Sequence, residues 1–186
     1  MSEGWRELVM ETERLLLRPW RENDAEALYR CASDPAVGPA AGWKPHESAE
    51  ESREIIRTVL AAEETYALVL RESGEPVGSI GTFPSRAQGA LPGEQEIGYW
   101  IARPLWGQGL MPEALERILR RCFEEQGAER VWGGHFAEND RSRRVQEKCG
   151  FRFHHRENAA FPRWDGVMMD ECFNLLERGD WEKRER

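Results

Sequence analysis

Hydrophobic residues recur along this chain with a period of two in some segments and of three to four in others, which predicts alternating strands and helices. The strand-like segments are residues 15–20, 66–71, 76–83 and 130–136. Two more strands are predicted near the C-terminal end. Helical spacing is found over residues 24–33, about 48–63 and about 141–149. Residues 34–45 are rich in Pro and Gly and predict a loop, and residues 84–93 predict a second, mobile loop. The pattern indicates one mixed α/β domain.

One segment joins an apolar run to a helix through two glycines. Residues 97–102 are strand-like, and Gly107-Gln108-Gly109 follows them closely. The helix that comes next has one apolar stripe, made of Leu110, Ala114, Leu115, Ile118, Leu119, Cys122 and Phe123. Pro112 suits the first turn of this helix, and Gly127 suits its end. The order predicted here is strand, glycine turn and helix.

A glycine turn in front of a helix is suited to binding an anion. The backbone N–H groups at a helix N-terminus and the positive end of the helix dipole favour a phosphate or pyrophosphate, and glycine lets the ligand approach the backbone. For an isolated Gly-x-Gly, the alternative is a plain strand–turn–helix connection. No Gly-Lys-Ser/Thr follows, which excludes a P-loop. Pro112 takes the place of the third glycine of the dinucleotide fingerprint, which argues against a Rossmann site.

Composition narrows the class of protein. The 186 residues carry a formal net charge of −8, which fits one domain with a substantial core and argues against nucleic-acid binding. No apolar stretch reaches the length of a membrane span, and residues 1–10 lack the features of a signal peptide. Cys31, Cys122, Cys149 and Cys172 show no metal or redox spacing. We therefore expect buried free thiols in a cytoplasmic protein without a membrane span.

Two segments, in the same order as in a known family, carry a resemblance. Residues 99–115 read YWIARPLWGQGLMPEAL, and residues 137–151 read AENDRSRRVQEKCGF. Together they resemble the acetyl-CoA-binding core of the GNAT N-acetyltransferase superfamily, and most of all its RimJ/RimL branch of ribosomal-protein alanine N-acetyltransferases. Residues 11–35 and 165–181 resemble the first strand and helix and the last strand of that branch. The resemblance covers nearly the whole chain.

The resemblance implies a fold and an activity. The fold is mixed α/β, a single GNAT-type domain over residues 11–181, with a splayed central sheet of about seven strands and helices on both faces. The activity is transfer of an acetyl group from acetyl-CoA to a primary amine, by direct attack in a ternary complex. The expected acceptor is a protein N-terminal α-amine of the ribosomal-protein alanine kind, and the expected assembly is a monomer or homodimer.

The resemblance also implies which residues hold acetyl-CoA. The pantetheine arm would pair with the backbone of Ile101 and Arg103, and an N–H near Trp100 or Ile101 would meet the oxyanion. The pyrophosphate would meet the N–H groups from about Gly107 to Met111. The full predicted set is Trp100, Ile101, Ala102, Arg103, Trp106, Gly107, Gln108, Gly109, Leu110, Met111, Asn139 and Ser142. Pro104 departs from the family's Gln/Arg-x-x-Gly-x-Gly/Ala pattern and removes one cationic contact.

Glu96 and Ser142 are the predicted catalytic residues. Glu96 begins the central strand, where the family often has a carboxylate near the acceptor amine, and a solvated strand-end Glu is the alternative. Asn139 and Ser142 match the Asn-x-x-Ser of the branch. In that branch the Asn hydrogen-bonds the pantetheine region, and the Ser lies near the sulfur and protonates the leaving thiolate. Capping of the following helix is the alternative for both residues.

The predicted acceptor-binding residues are Trp43, Glu96, Trp100, His135 and Trp164. The tryptophans fall where relatives bind acceptors, in the early helical loop, the central strand and the last hairpin, and ordinary packing is the alternative. His135 falls on the strand after the cofactor helix, with a packed or hydrogen-bonded histidine as the alternative. No histidine pair has metal spacing with a third ligand, so we predict no metal.

Three functions stay open on the sequence. They are N-terminal protein acetylation, acetylation of a small amine (an amino acid, polyamine, antibiotic or aminoacyl nucleotide), and non-catalytic acyl-CoA binding on the same fold. A modest base suits an α-amine, whose pKa near 7.7–8.0 leaves about a tenth of it neutral at pH 7, whereas a lysine amine with a pKa of about 10.4 stays charged. The presence of Glu96 together with Ser142 disfavours the non-catalytic module.

Overall fold

Strands and helices alternate along residues 8–184, which are the residues that the computed structural model describes. The strands are β1 (Met10–Glu11), β2 (Leu15–Pro19), β3 (Thr65–Leu70), β4 (Pro76–Pro84), β5 (Gln95–Ile101), β6 (Arg130–Phe136), β7 (Arg152–Pro162) and β8 (Met168–Glu177). The α-helices are α1 (Ala25–Ala32), α2 (Ala49–Ile55), α3 (Leu110–Arg120), α4 (Asp140–Lys148) and α5 (Arg178–Arg184). Residues 1–7, on which the prediction of no signal peptide largely depends, lie outside this range.

The sheet is mixed, as predicted, but it has eight strands in place of about seven. Its hydrogen-bonded order is β1-β2-β3-β4-β5-β6-β8-β7. β5 and β6 run parallel, whereas β2 is antiparallel to β1 and β3, and β8 is antiparallel to β6 and β7. The additional strand is β1, which pairs with Leu16 and Leu17. Its two residues are too few to produce an alternating pattern in the sequence.

The parallel pair of β5 and β6 is short. Its register pairs are Gln95 with Val131, Glu96 with Trp132 and Ile97 with Gly133. Both strands continue beyond this register, β5 to Ile101 and β6 to Phe136. Pairing that stops before either strand ends is what a splayed pair of strands requires.

The described residues group into two compact units. The first unit is residues 8–81 with 99–114, and the second unit is residues 82–98 with 115–184. The chain passes from one unit to the other inside β4, inside β5 and inside α3. Because these crossings fall within regular elements, the units are parts of one fold.

Each unit has its own cluster of buried side chains. In the first unit the cluster is Trp20, Ala25, Leu28, Ala32, Ile56, Ala67 and Val69. The Trp20 indole Nε1 donates to Ser79 Oγ (3.1 Å), and that hydroxyl donates to the Tyr66 carbonyl (3.1 Å), so the buried polar groups are paired. In the second unit Trp132 and Phe173 pack with Ala87. Trp20 and Trp132 are thus both buried core residues.

The helix predicted over residues 48–63 is shorter than expected. Ser48 caps α2 by accepting a hydrogen bond from the Glu51 N–H (3.1 Å), and the helix gives way to a π turn at Ile56–Leu60. The pattern predicts that Ile55, Ile56, Val59 and Leu60 all face inward. Only Ile56 is fully buried, and Val59 is 55% exposed. The prediction for Val59 is wrong because the wider π turn changes the phase of the side chains.

The helix that follows the glycine turn agrees with the sequence. All seven residues of its predicted apolar stripe are buried. The segment continues beyond α3 as a π turn (Arg121–Glu125) and stops at Gly127, which has a φ of +72°. The prediction of Gly127 as the helix stop is confirmed, since this left-handed conformation favours glycine.

Candidate active site

The glycine turn has the geometry of an anion site. Gly107 and Gly109 both have positive φ, +77° and +78°, and α3 begins immediately after them at Leu110. The first N–H groups of a helix have no acceptor within their own helix. The turn and the first helical residues therefore present backbone donors together with the positive end of the helix dipole.

Arg14, the residue immediately before β2, holds this turn. The Glu113 carboxylate, in the first turn of α3, accepts hydrogen bonds from the Arg14 backbone N–H (2.8 Å), Arg14 Nε (2.7 Å) and Thr12 Oγ1 (2.5 Å). Another nitrogen of the Arg14 guanidinium donates to the Gln108 carbonyl (2.9 Å). Burial raises the pKa of Glu113, but the bonds from Thr12 and Arg14 outweigh it and lower this pKa overall. We call Thr12, Arg14 and Glu113 the turn clamp.

The end of β5 leads into the turn through a compact bend. The Ala102 N–H donates to the Val77 carbonyl (2.8 Å), and the Trp106 indole Nε1 donates to the Ile101 carbonyl (2.8 Å). Ile101 and Ala102 are buried, whereas Arg103 is exposed, with its guanidinium 4.0 Å from the Asp34 carboxylate. The predicted cofactor residues from Trp100 to Met111 thus form one continuous segment of the first unit.

Three tryptophans meet beside this segment. Trp100 lies 6.3 Å from Trp20 in a stacked arrangement and 5.7 Å from Trp43 edge-to-face. His46 lies 5.3 Å from Trp43, and its Nδ1 hydrogen-bonds the buried Ser52 hydroxyl (2.8 Å). Burial lowers the pKa of His46. Trp164, the third tryptophan predicted to bind the acceptor, lies in the second unit in the turn after β7 and is 50% exposed.

Glu96 is a buried carboxylate with weak partners. It is 1% exposed, and it accepts hydrogen bonds from the Arg86 backbone N–H (3.2 Å) and Ser85 Oγ (3.3 Å). Burial raises the pKa of Glu96 above its usual value, and the nearby Arg86 guanidinium only partly opposes this effect. The alternative of a solvated strand-end Glu is therefore wrong. A buried carboxyl with a raised pKa is a candidate proton acceptor.

A second buried carboxylate, Glu171 on β8, lies close to Glu96. Arg86 binds Glu171 with two short hydrogen bonds, both of 2.7 Å, and one of its guanidinium nitrogens is also 3.7 Å from Glu96 Oε1. The loop predicted to be mobile is thus anchored at its start, since Ala87 next to Arg86 is buried as well. Gly134 lies on the other side of Glu96, where a Cβ would come within 2.8 Å of Oε1.

Asn139 and Ser142 form the N-terminal cap of α4. The Asn139 Oδ1 accepts a hydrogen bond from the Ser142 backbone N–H (3.1 Å). The capping alternative is therefore present in the structure for Asn139. Both side chains are half-buried.

His135 lies apart from Glu96. A Cβ on Gly133 would meet Gln146 of α4, whereas a Cβ on Gly134 would meet Glu96, so the two faces of β6 are distinct. His135 shares the face of Gly133. Its Nδ1 hydrogen-bonds the Phe136 carbonyl (2.8 Å), and burial lowers its pKa. This is the packed, hydrogen-bonded alternative, and the geometry does not bring His135 together with Glu96.

Comparison with known proteins decides the family. The model of the acetyltransferase (GNAT) domain matches residues 14–152. The "Uncharacterized N-acetyltransferase YoaA" of Bacillus subtilis (strain 168) is 31% identical over 149 residues, which make up 77% of this chain and 82% of that protein. The chain belongs to the GNAT acetyltransferase family. It is an N-acetyltransferase, and acetyl-CoA is the acyl donor of this family.

Solved GNAT structures share the fold. A GNAT-family acetyltransferase from Bacillus anthracis matches with a TM-score of 0.79 at 23% identity, over 92% of this chain and 99% of that chain. RimJ of Mycobacterium smegmatis, solved in complex with CoA-disulfide, matches with a TM-score of 0.76 at 25% identity, over 96% of this chain and 91% of that chain. The first likeness is one of fold alone.

Two arginines and one glutamate near the candidate site of this GNAT protein are not predicted from the sequence. Arg14, Arg86 and Glu171 each make their main contacts with residues far away in the chain, which periodicity does not show. Glu171 alone left a signal. It lies in phase with the buried Met169 and Phe173 of β8, so an alternating strand places its carboxylate inward.

Three further features of the described part of the GNAT chain concern metal binding, membrane spanning and cysteine chemistry. Among residues 8–184, no group of three or more His, Cys, Asp or Glu side chains is arranged to hold a metal ion. In the same range no helix combines the length and the apolar character needed to cross a bilayer. All four cysteines are free, as predicted. Cys122 and Cys149 are buried, but Cys31 and Cys172 are only partly so.

Proposed function

We propose that this protein acetylates the α-amine of a protein N-terminus, with Glu96 as the general base. The observation that carries the proposal is the environment of Glu96, which is 1% exposed, has a raised pKa and has the Arg86 guanidinium only at 3.7 Å, beyond hydrogen-bond distance. A carboxylate of this kind removes a proton from an ammonium group more readily than a solvent-exposed carboxylate with an ordinary pKa.

The turn around Gly107 and Gly109 is the proposed seat of the acetyl-CoA pyrophosphate. Both glycines adopt positive φ, and the donors of the α3 N-terminus follow them, so the residues present fit a phosphate group. Arg14 holds the shape of this turn, since its guanidinium donates to the Gln108 carbonyl and pairs with Glu113. Acetyl-CoA contributes the acetyl thioester when it is bound.

The remaining roles follow the family motif. The backbone of Ile101 and Arg103 pairs with the pantetheine arm, an N–H near Trp100 or Ile101 stabilises the oxyanion, and Asn139 binds the pantetheine region. Ser142 would supply the proton that the departing thiolate takes up.

An α-amine fits this machinery better than a lysine side chain. At pH 7 an α-amine needs to lose its proton at a cost of about 1 kcal/mol, whereas a lysine needs roughly 5 kcal/mol. A single buried carboxylate is a modest base, so the smaller cost is the compatible one. The resemblance of residues 99–115 and 137–151 to the RimJ/RimL branch of ribosomal-protein alanine N-acetyltransferases supports the same acceptor class.

A small amine is the second candidate, and the aromatic cluster favours it. Trp43 and Trp100 stand edge-to-face at 5.7 Å, next to His46. A narrow pocket lined by these aromatic rings would favour compact acceptors over chain termini.

A thiol-release assay with acetyl-CoA tests both candidates. The acceptors are peptides with free N-terminal Ala or Ser, the same peptides blocked at the N-terminus but carrying Lys, and a panel of free amines. We expect the free N-terminal peptides to give the highest kcat/KM, and Glu96→Gln and Ser142→Ala to lower kcat. Preference for free amines would establish the second candidate, and full kcat in both variants would refute the catalytic assignments.

A further inference from the structure

Two buried carboxylates share one guanidinium in the second unit. Glu96 is 1% exposed and Glu171 is 3% exposed, and Arg86 lies between them. Arg86 gives both arms of its fork to Glu171, at 2.7 Å each, and approaches Glu96 only to 3.7 Å. A guanidinium forms its strongest ion pairs through such a bidentate arrangement.

Arg86 is held in this position from several sides. Its guanidinium lies over the rings of Phe161 (5.3 Å) and Phe173 (5.9 Å), and Gln88, two residues further along the loop, donates its backbone N–H to Glu157 (2.9 Å). The guanidinium is therefore committed to Glu171. Glu96 keeps a negative charge that no cation within hydrogen-bond distance neutralises.

We propose that Arg86 and Glu171 are positioning residues for Glu96: Glu171 engages the Arg86 guanidinium, and Glu96 is thereby left as a proton acceptor instead of a salt-bridge partner. This inference rests on the proposed role of Glu96 as the base. It adds that an arginine and a second glutamate set the proton affinity of this base.

The charges of Arg86 and Glu171 should act on the ionisation of Glu96 in opposite directions. The loop before β5 contributes Arg86 and Ser85, β8 contributes Glu171, and β6 contributes Gly134. Glu157 of β7 acts on Arg86 from further away. Removing the Glu171 charge frees Arg86 to approach Glu96, which favours the ionised form of Glu96. Removing the Arg86 charge leaves two buried anions together, which favours the protonated form.

Carbon-13 titration of the glutamate side chains tests this directly. The Glu96 signal is assigned by its loss in Glu96→Gln, and its pKa is then measured in Glu171→Gln, Arg86→Gln and Arg86→Lys. We expect Glu171→Gln to lower the Glu96 pKa and Arg86→Gln to raise it, each by about one pH unit. Arg86→Lys keeps the positive charge and should stay closer to the parent protein than Arg86→Gln.

Asp170→Asn is the matched control. It removes a charge from the neighbouring residue of the same strand, whose carboxylate binds Arg156 and the Ala159 N–H instead. We expect no change in the Glu96 titration. Shifts of the same sign in Glu171→Gln and Arg86→Gln, or a Glu96 titration in Glu171→Gln that matches Asp170→Asn, would overturn the inference. Glu171→Gln is nearly isosteric, so it decides the question even if Arg86→Gln does not fold.

The titration also separates this inference from the proposed function, because it requires no turnover. In kinetic measurements, the loss of kcat on the acid side should occur at a lower pH in Glu171→Gln than in the parent protein, and at a higher pH in Arg86→Gln. Opposite titration shifts together with full kcat in Glu96→Gln would uphold the electrostatic coupling but refute Glu96 as the base. A large loss of kcat in Glu96→Gln without the titration shifts would do the reverse.

Discussion

Glu94 and Glu96 stand two residues apart at the start of β5, and their environments are opposite. Glu94 accepts four hydrogen bonds, from Arg130 Nε (2.6 Å), a second Arg130 nitrogen (2.8 Å), Trp132 Nε1 (2.7 Å) and the Leu91 N–H (3.0 Å). The bonds from Arg130, together with those from Trp132 and Leu91, outweigh burial and lower the pKa of Glu94 to about 2. Glu96 is buried with fewer and longer bonds, and its pKa is raised.

The comparison shows that burial and hydrogen-bond donors together decide what a carboxylate does. Glu96 is the more deeply buried of the two, with 1% of its side chain exposed against 13% for Glu94, and its hydrogen bonds are fewer and longer. With an arginine fork and an indole in place, Glu94 is an ionised structural group that stabilises the fold. Glu96, whose neighbouring arginine binds Glu171, is the proposed proton acceptor. We therefore expect substitution of Glu96 to lower mainly kcat, and substitution of Glu94 to lower mainly the free energy of unfolding.

Glu96→Gln is expected to have the largest effect. Because the amide cannot accept a proton, kcat should fall by about 100- to 10,000-fold, while the affinity for acetyl-CoA stays the same. The free energy of unfolding at pH 7 should be unchanged or higher, since a raised pKa means that the ionised form is disfavoured in the fold. Steady-state kinetics and urea unfolding measure the two quantities. A stable variant with normal kcat would break the comparison.

Glu94→Gln is expected to show the converse. The free energy of unfolding should fall by about 2 kcal/mol at pH 7, because a neutral amide loses the charge-assisted bonds to Arg130, and kcat should stay within about twofold. The folded-state pKa is depressed, so this stabilisation is complete above about 4.5 and is lost as the pH falls towards 2. Urea unfolding across that window should show the difference between the variant and the parent protein closing.

Arg14→Ala extends the comparison to a cation that serves binding. Loss of the turn clamp should raise the Kd for acetyl-CoA by about tenfold, with a small effect on kcat at saturation. Calorimetry measures the affinity. Arg57→Ala is the matched control, because Arg57 is about as exposed (46% against 45%) and pairs with Glu22 elsewhere in the first unit. Equal losses in both variants would show that the clamp has no special role.

Trp43→Ala leaves both carboxylates in place and is expected to have the smallest effect. The acceptor KM should rise about fivefold through loss of aromatic contact, and the KM for acetyl-CoA should not change. Kinetics with each substrate varied in turn measure the two values. Equal effects on both KM values would refute a role of Trp43 in acceptor binding.

The sequence predicted best those features that depend on neighbours in the chain. The stripe of α3 is read from spacing alone, and so is the stop at Gly127. The Asn139 cap needs only three residues. By contrast, Arg14 meets Glu113 across 99 positions and Arg86 meets Glu171 across 85, so their partners exist only once the sheet has formed. Val59 failed because a π turn, which periodicity does not reveal, shifts the phase of its helix.

The pH dependence of kcat for the parent protein and Glu96→Gln, with saturating acetyl-CoA and a free N-terminal peptide, tests the central claim most directly. We predict that the parent protein loses activity as the pH falls through the raised pKa of Glu96, and that the variant has a much lower kcat without this acid limb. An identical acid limb in both proteins would contradict the assignment of Glu96 as the base.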